Sequence, residues 1–221
     1  MLETLTEHQD VLAALRAATA ERHAILDAQT PLAQADVDLA AYRAHLQLLE
    51  QWLAPIAAWL GGSMPGESES PRGAADDGGD IRAHAPVLPD YLATIRADLA
   101  HPSLDGQAAA AGKACADDAQ RSAAQPWPAQ ASAAYRWGVC YVLEGSQLGG
   151  AVLYKRLAER LAPHPLAYLR GNGSPGPRWQ QFMAALRAHV TSPAQVAEAC
   201  QGARDAFDRL IALNRLRAHA Q

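Results

Sequence analysis

The sequence predicts an all-α fold, a helical bundle without strands, from three observations. Its 221 residues are 49% hydrophobic, and this apolar content leans on alanine and leucine, which favour helices. Apolar residues recur every three or four positions in several long segments. No segment alternates apolar and polar residues over the length of a strand. A chain of this length can bury a sizeable core, and we interpret residues 1–221 as a single domain.

The first third of the chain contains two predicted helices and a loop. The first helix runs over residues 10–27, because apolar side chains recur there at helical spacing. The second begins after Asp36, which can cap it, and Pro55 or the Gly61-Gly62 pair ends or bends it. Residues 61–80 are rich in Gly, Pro, Ser and acidic residues, so we predict a mobile loop there, inside one fold.

The rest of the chain predicts further helices. Pro89 opens a helix that His101-Pro102 ends, because proline disfavours helical geometry in the residue before it. Residues 108–124 are ambiguous between a weak helix and a loop. The longest periodic segment, over 133–161, is interrupted only by glycines and predicts a central helix. Two more helices are predicted over 177–189 and 193–217.

Charge and cysteine content argue against several classes of function. A net charge of -4 and a pI near 6.0 give no basic field for phosphate backbones, so nucleic acid is not an expected partner. The N-terminus is polar, and no stretch approaches the roughly 20 apolar residues of a spanning helix. We therefore expect a cytoplasmic protein without membrane insertion. Three widely spaced cysteines without a CxxC argue against a disulfide framework or a zinc knuckle.

His23 is the first candidate for chemistry. It follows Thr19 by four residues and Leu15 by eight, which predicts an imidazole on the apolar face of the first helix, in the core. A histidine in such a position is most often a core residue bonded to a carbonyl or to water. The alternative is an axial ligand, because a neutral imidazole in an apolar slot is the usual proximal donor to haem iron.

A group of glycines in the predicted central helix is the second candidate. Gly145, Gly149 and Gly150 lie within the segment YVLEGSQLGG, and each interior glycine costs roughly 0.5 to 1 kcal/mol relative to alanine. Close packing against another helix, or a helix end, would explain them. Alternatively, the missing side chains let the backbone approach a flat ligand, and a kink frees amide groups for a small polar ligand. A flat ligand between two helices would account for both His23 and the glycines.

Together these segments resemble the haem oxygenase family. The segment LRAATAERH, which ends at His23, is similar to the LKxxTxxxH motif of the proximal helix in that family. The segment GSQLGG, from Gly145 to Gly150, is similar to the glycine-rich distal helix. The form YVLEGSxLGG most resembles the bacterial branch often found beside bacteriophytochromes. The resemblance extends over nearly the whole chain except residues 61–80, and it implies haem held between a proximal helix and a kinked distal helix.

The resemblance implies that haem b is both cofactor and substrate, with His23 as the axial ligand to iron and Thr19 at the cofactor. Dioxygen, with electrons from a ferredoxin or a flavoprotein reductase, would open the ring to biliverdin, carbon monoxide and ferrous iron. A bacteriophytochrome that accepts biliverdin is a further partner that the resemblance suggests. The catalytic distal segment would then consist of Gly145, Ser146, Gly149 and Gly150.

Ser146 departs from the family's pattern. Many members carry an acidic residue at this position, which holds a network of water molecules, and a hydroxyl orders water less strongly than a carboxylate. Gln147 or Glu144 are candidates to substitute for it. Glu144 is better explained, however, as a solvated charge on the helix surface.

Two arginines are candidates to bind the haem propionates. Arg16 occupies the basic position of the proximal motif and is the expected anchor, although an ordinary solvated arginine explains it equally well. Arg178 lies near the place on the penultimate helix where some family members carry a basic pair. Trp179 and Met183 stand where those charges would be expected, so the pattern is matched only in part.

Other functions stay open at this point. The same architecture is found in di-iron oxidases and thiamin-degrading enzymes, so the fold alone does not decide the reaction. A di-iron site needs Glu-x-x-His pairs, and this chain has none. Cys140 lacks an identifiable base, so an inert buried cysteine is the better interpretation. A haem carrier or sensor of the same fold, without turnover, is the main alternative, and Ser146 favours it.

Overall fold

The structure is a computed structural model that describes residues 10–30, 32, 36–61, 90–105, 126–171, 173 and 175–218. Within these residues the chain forms seven α-helices and no strand, which confirms the all-α prediction. None of the described helices is both long and apolar enough to cross a membrane. In chain order the helices are α1 (Val11–Gln29), α2 (Leu39–Gly61), α3 (Tyr91–Leu99), α4 (Ala133–Leu157), α5 (Ala167–Arg170), α6 (Pro175–His189) and α7 (Pro193–Ala218).

Some helix bounds differ from the prediction. Helix α2 continues through Pro55, and its cap is Asp38 rather than Asp36, because the Asp38 carboxylate accepts the Ala41 amide at 2.8 Å. Helix α5 was not predicted, since four residues are too few to show a helical period. Apart from Gly61, which ends α2, the predicted loop over 61–80 lies outside the described residues, as does the ambiguous segment over 108–124.

Helices α4 and α7 cross with backbone against backbone. A Cβ at Gly138 would lie 1.8 Å from the carbonyl oxygen of Ala199, and one at Gly202 would lie 2.1 Å from that of Tyr135. Neither position can hold a larger residue while this crossing is kept. These two glycines therefore determine how closely α4, the helix of the glycine segment, packs on α7.

Helix α1 packs along the same helix α7, so α7 supports both helices that carry the candidate residues. Arg22 forms a bidentate ion pair with Asp208 of α7, at 2.7 and 2.9 Å. At the other end of α1, Asp10 caps the helix through the amide of Leu12 and lies 3.4 Å from Arg187 of α6. These contacts connect the start of α1 with α6 and its second half with α7.

The short helix α5 is held by a buried carboxylate. Asp98 accepts the backbone amides of Ala167 and Tyr168 at 3.1 and 2.8 Å, at the N-terminus of α5. It also accepts the hydroxyl of Tyr42 at 2.7 Å, and burial together with the Asp98 charge raises the pKa of that phenol. Three donors thus satisfy a charge that would otherwise be costly to bury. The result is that α5 is fixed beside α4.

Candidate functional site

The imidazole of His23 lies on an exposed side of α1 and not in the core. Its side chain is 65% exposed, whereas Leu12, Leu15 and Thr19 on the same helix are buried. The prediction of a core histidine is therefore wrong. A helix turns about 100° per residue, so eight residues place His23 about 80° around the axis from Leu15, at the edge of the buried stripe.

His23 has a carboxylate partner one turn further along α1. The Nδ1 atom lies 2.9 Å from a carboxylate oxygen of Asp27. A carboxylate at this nitrogen keeps the proton on Nδ1 and leaves the Nε2 lone pair available to a metal ion. The ring of Phe207 on α7 lies 6.1 Å away between centroids and bounds the imidazole on one side. This donor arrangement fits an axial ligand to haem iron.

Thr19 is buried, and its hydroxyl donates to the carbonyl oxygen of Leu15 at 2.8 Å, within α1. The hydroxyl proton is therefore bound to the helix backbone. The expectation that Thr19 contacts the cofactor stays a prediction, which a packing contact would satisfy.

Arg16 lies on the exposed surface of α1, beside α4. Burial raises the pKa of the Tyr141 phenol on α4, and the positive charge of Arg16 partly opposes that effect. Among the residues that the structure describes, no carboxylate lies within 4 Å of the Arg16 guanidinium. Arg16 is thus a cation on the side of α1 that approaches α4, available to an anionic ligand.

The three glycines of the distal segment have different surroundings, although the helical course of α4 continues through all of them. Gly150 is buried, and a Cβ there would lie 3.6 Å from the backbone of Leu169, so packing against α5 explains it. Gly145 would bring a Cβ to 3.8 Å from the ring of Trp179, an ordinary contact. Gly149 is exposed, and a Cβ there would meet no heavy atom within 4 Å.

Gly149 and Val152 form an open apolar strip on α4. Val152 is one turn beyond Gly149, on the same side of the helix, and it is 69% exposed. A single exposed valine is ordinary on a protein surface, so Val152 makes this side of α4 apolar but does not identify what covers it. The strip offers a flat ligand a backbone without a side chain and an apolar contact beside it.

The hydroxyl of Ser146 is held by neighbouring protein groups. It donates to the carbonyl oxygen of Leu143 at 2.7 Å. The side chains of Ser146 and Gln147 also hydrogen-bond to the phenol of Tyr168 on α5, and burial raises the pKa of that phenol. Ser146 is therefore part of a polar group fixed on α4, with its own proton already engaged.

Glu144 is buried and fully paired, so the prediction of a solvated surface charge is wrong. Its side chain is 2% exposed, and Arg178 of α6 donates to both carboxylate oxygens at 2.9 and 2.7 Å. The hydroxyl of Tyr91 donates to the same carboxylate at 3.0 Å, and burial raises the pKa of this phenol. The arrangement connects α3, α4 and α6. Arg178 therefore serves first to pair with Glu144, and the expectation that it also binds the cofactor stays a prediction.

Two features of this site were missed by the sequence reasoning. Asp27 follows His23 by four residues, and that spacing alone signals a contact on one helix face. Gly138 and Gly202 carry no local signal, because their role depends on which residues of another helix lie opposite them. The structure thus brings Asp27 and Phe207 to His23 and places Arg16 within electrostatic range of Tyr141 on α4. Thr19 and Arg178 have partners within the protein, Leu15 and Glu144.

Comparison with known proteins identifies a family for the part of the chain that contains the distal segment on α4. A model of the family described as "Heme oxygenase" matches residues 93–215, a range that includes all of α4 and begins after α1. A protein named "Heme oxygenase" from Xanthomonas campestris pv. campestris (strain 8004) is 41% identical over 87 residues, which cover 38% of this chain and 52% of that protein. The chain thus spans about half the length of this relative. The family model covers more than half of the 221 residues of this chain, and the chain therefore belongs to the haem oxygenase family.

Proposed function

We propose that this protein is a haem oxygenase, which binds haem b and opens its porphyrin ring with dioxygen and external electrons to biliverdin, carbon monoxide and ferrous iron. The observation that carries the proposal is the exposed imidazole of His23, with Nδ1 held by Asp27 and Nε2 left for iron. Membership of the family supports the class of reaction. The name of the Xanthomonas relative supports it as well.

The residues of α1 and α4 suit the parts of haem in different ways. His23 would hold the haem iron through Nε2, and Arg16 on the same helix would form a charge-assisted hydrogen bond with a propionate. Haem, once bound, supplies the iron at which dioxygen is activated. The strip of Gly149 and Val152 would cover the porphyrin, where Val152 would exclude water and Gly149 would allow close approach of the helix backbone. This steric cover would leave only part of the ring edge accessible to attack.

On the distal helix α4, the hydroxyl of Ser146 takes the place of the carboxylate that would order water and deliver protons in many family members. The hydroxyl of Ser146 donates its proton to the Leu143 carbonyl oxygen and also hydrogen-bonds to the Tyr168 phenol. Because a hydroxyl so engaged orders water less strongly than a carboxylate, we expect slower turnover than a carboxylate at this position would give. Ser146→Asp should raise the rate of ring opening.

The other elements of the proposal concern the cell. The protein acts in the cytoplasm as a single domain over residues 1–221, and a ferredoxin or a flavoprotein reductase supplies its electrons. Its product, biliverdin, passes to a bacteriophytochrome as chromophore. The support for this last partner is the form YVLEGSxLGG of the distal segment, which resembles the branch of the family found beside such photoreceptors.

The test of the proposal is titration of the purified chain with hemin, followed by reduction in air. We expect a Soret band at one equivalent of hemin, which His23→Ala abolishes or weakens at least tenfold. His189→Ala, on α6, is the matched control and should leave the spectrum unchanged. Addition of ascorbate or a reductase system should then replace the Soret band by the broad absorption of biliverdin.

A haem carrier or sensor is the second candidate, because Ser146 replaces the acidic residue of many family members and its proton is engaged by Leu143. This alternative predicts that the Soret band survives reduction in air. An unchanged spectrum in the His23→Ala protein would overturn the ligand assignment, whichever function is correct.

A further inference from the structure

A small cavity lies between α2, α7 and the segment that leads into α4. It is lined by residues from these three parts of the chain: Gln51, Trp52, Pro55, Trp127, Arg209 and Leu213. The centre of a water molecule has about 10 Å³ of space in it, which is about the room that one water molecule needs. The cavity is therefore too small for a ligand much larger than water.

Two residues of this lining carry a buried polar atom that has no hydrogen-bond partner among the described residues. They are Nε1 of Trp127, which can only donate, and Oε1 of Gln51, which can only accept. A buried polar atom without a partner costs folding free energy, so such atoms are usually bonded to the protein or to an ordered water. A donor and an acceptor in one lining require a partner that both accepts and donates.

The two indoles at this cavity differ in how their N–H groups are satisfied. Nε1 of Trp52 donates directly to the carbonyl oxygen of Ala206 on α7, at 2.9 Å. The ring of Trp127 is instead stacked on Trp59, with centroids 5.1 Å apart, and the guanidinium of Arg209 lies 3.8 Å from its centroid. Because these two contacts hold the Trp127 ring, its N–H cannot turn to another acceptor without losing them. A partner has to come to this indole.

We infer that this cavity binds one ordered water molecule, which accepts the Trp127 indole proton and donates to Oε1 of Gln51. A chloride ion would suit the indole N–H and the charge of Arg209, but it has no proton to donate to Gln51. Water is the smallest ligand with both functions, and a bridging water of this kind is nearly as favourable as a direct hydrogen bond. The water thus connects α2 to the segment before α4, and the inference does not depend on haem.

The bound water is tested by NMR on the isotope-labelled, haem-free protein. Magnetisation transfer from water to the indole protons is measured in the rotating frame, where contact with a bound water and exchange of the proton itself give signals of opposite sign. We expect a contact signal at the Trp127 indole proton. The Trp52 indole, bonded to Ala206, is the internal control and should give a signal several times weaker. Trp127→Phe and Trp52→Phe each remove one indole resonance and so assign the two.

A substitution of Gln51 tests the acceptor. Gln51→Met removes Oε1 while keeping the length of the side chain and nearly the same helix propensity. Loss of the bond to water should lower the folding equilibrium constant about threefold to tenfold in urea denaturation and weaken the Trp127 signal. If Oε1 had no partner, its removal would instead stabilise the protein. Gln180→Met, at an exposed position of α6, is the matched control and should change the constant by less than about twofold.

Three outcomes would overturn the inference. The first is the absence of a contact signal at the Trp127 indole proton. The second is a Gln51→Met protein that is as stable as the parent protein or more stable. The third is a Trp127 indole resonance that shifts with chloride concentration at constant ionic strength, which would identify an anion in the cavity. None of these measurements involves haem, so failure here and failure of the proposed haem chemistry are distinguishable.

Discussion

Gly149 and Gly138 of α4 lie in opposite surroundings, and alanine at the two positions should have opposite effects. A Cβ at Gly149 meets no heavy atom within 4 Å, whereas one at Gly138 would lie 1.8 Å from the carbonyl oxygen of Ala199. Both positions are inside the same helix, so both substitutions gain the same helix propensity, about 1 kcal/mol. The difference between the two variants therefore measures packing.

For the haem-free protein, we expect Gly149→Ala to raise the free energy of unfolding by about 1 kcal/mol, or the Tm by about 2–4 °C. Gly138→Ala should lower that free energy by about 2 kcal/mol or more, because the atom it meets is backbone and cannot rotate away. Thermal unfolding followed by circular dichroism measures both changes.

Hemin binding should be weakened by the same Gly149 substitution that stabilises the haem-free protein. Gly149→Ala places a methyl group where we propose that the porphyrin lies, so we expect it to weaken hemin binding at least tenfold, about 1.4 kcal/mol. The reasoning is refuted if Gly149→Ala destabilises the haem-free protein as much as Gly138→Ala does. It is refuted equally if the Gly149→Ala protein binds and degrades hemin as the parent protein does.

Three further predictions concern the Glu144–Arg178 pair, Asp27 beside His23, and His45 on α2. Glu144→Ala removes the buried carboxylate that Arg178 and Tyr91 share and should cost about 2–3 kcal/mol of stability in urea denaturation, less than for a fully buried pair because Arg178 is 40% exposed. Glu50→Ala, in the more exposed pair with Arg96, should cost under about 1 kcal/mol. Asp27→Ala should weaken hemin binding by about 10-fold to 100-fold in a spectroscopic titration, whereas Asp38→Ala should not. Burial lowers the pKa of His45 on α2 from 6.5 to about 4. Between pH 6.5 and about 4, this histidine therefore binds a proton in the unfolded chain but not in the folded protein. Stability should therefore fall as the pH drops from 6.5 to about 4, and His45→Gln should reduce this fall in urea denaturation at several pH values; an equal fall in both proteins contradicts the assignment.

Helical periodicity made the long helices of this fold predictable. Apolar residues at regular spacing indicated α1, α3, α4, α6 and α7 to within a few residues, because each buries one face against the others. The ends of α2 were less accessible, since Asp36 and Asp38 are equally good caps by residue type and only the backbone geometry chooses Asp38. Helix α5 depends on the buried carboxylate of Asp98, which lies in a distant part of the sequence.

The site was predictable in its residue types and less so in their surroundings. His23 was identified, but its exposure was not. Two steps of four residues, from Leu15 through Thr19 to His23, look like one helix face in the sequence, yet together they rotate the side chain by about 80° around the helix axis, out of the buried stripe. Glu144 looked like a surface charge because its partners, Tyr91 and Arg178, come from two other helices. Thr19 belongs to the motif that suggests haem, yet in this chain its hydroxyl bonds to its own helix. Residues whose role depends on a long-range partner could not be assigned from the sequence.

The central claim, that His23 holds haem which the protein then degrades, is tested most directly by one turnover measurement. The purified chain is loaded with one equivalent of hemin, given ascorbate or a reductase system in air, and its visible spectrum and products are followed with time. Our account predicts loss of the Soret band, release of ferrous iron and carbon monoxide, and biliverdin as the product, all absent with His23→Ala. A Soret band that persists under these conditions, or biliverdin formation at the same rate in the His23→Ala protein, would contradict it.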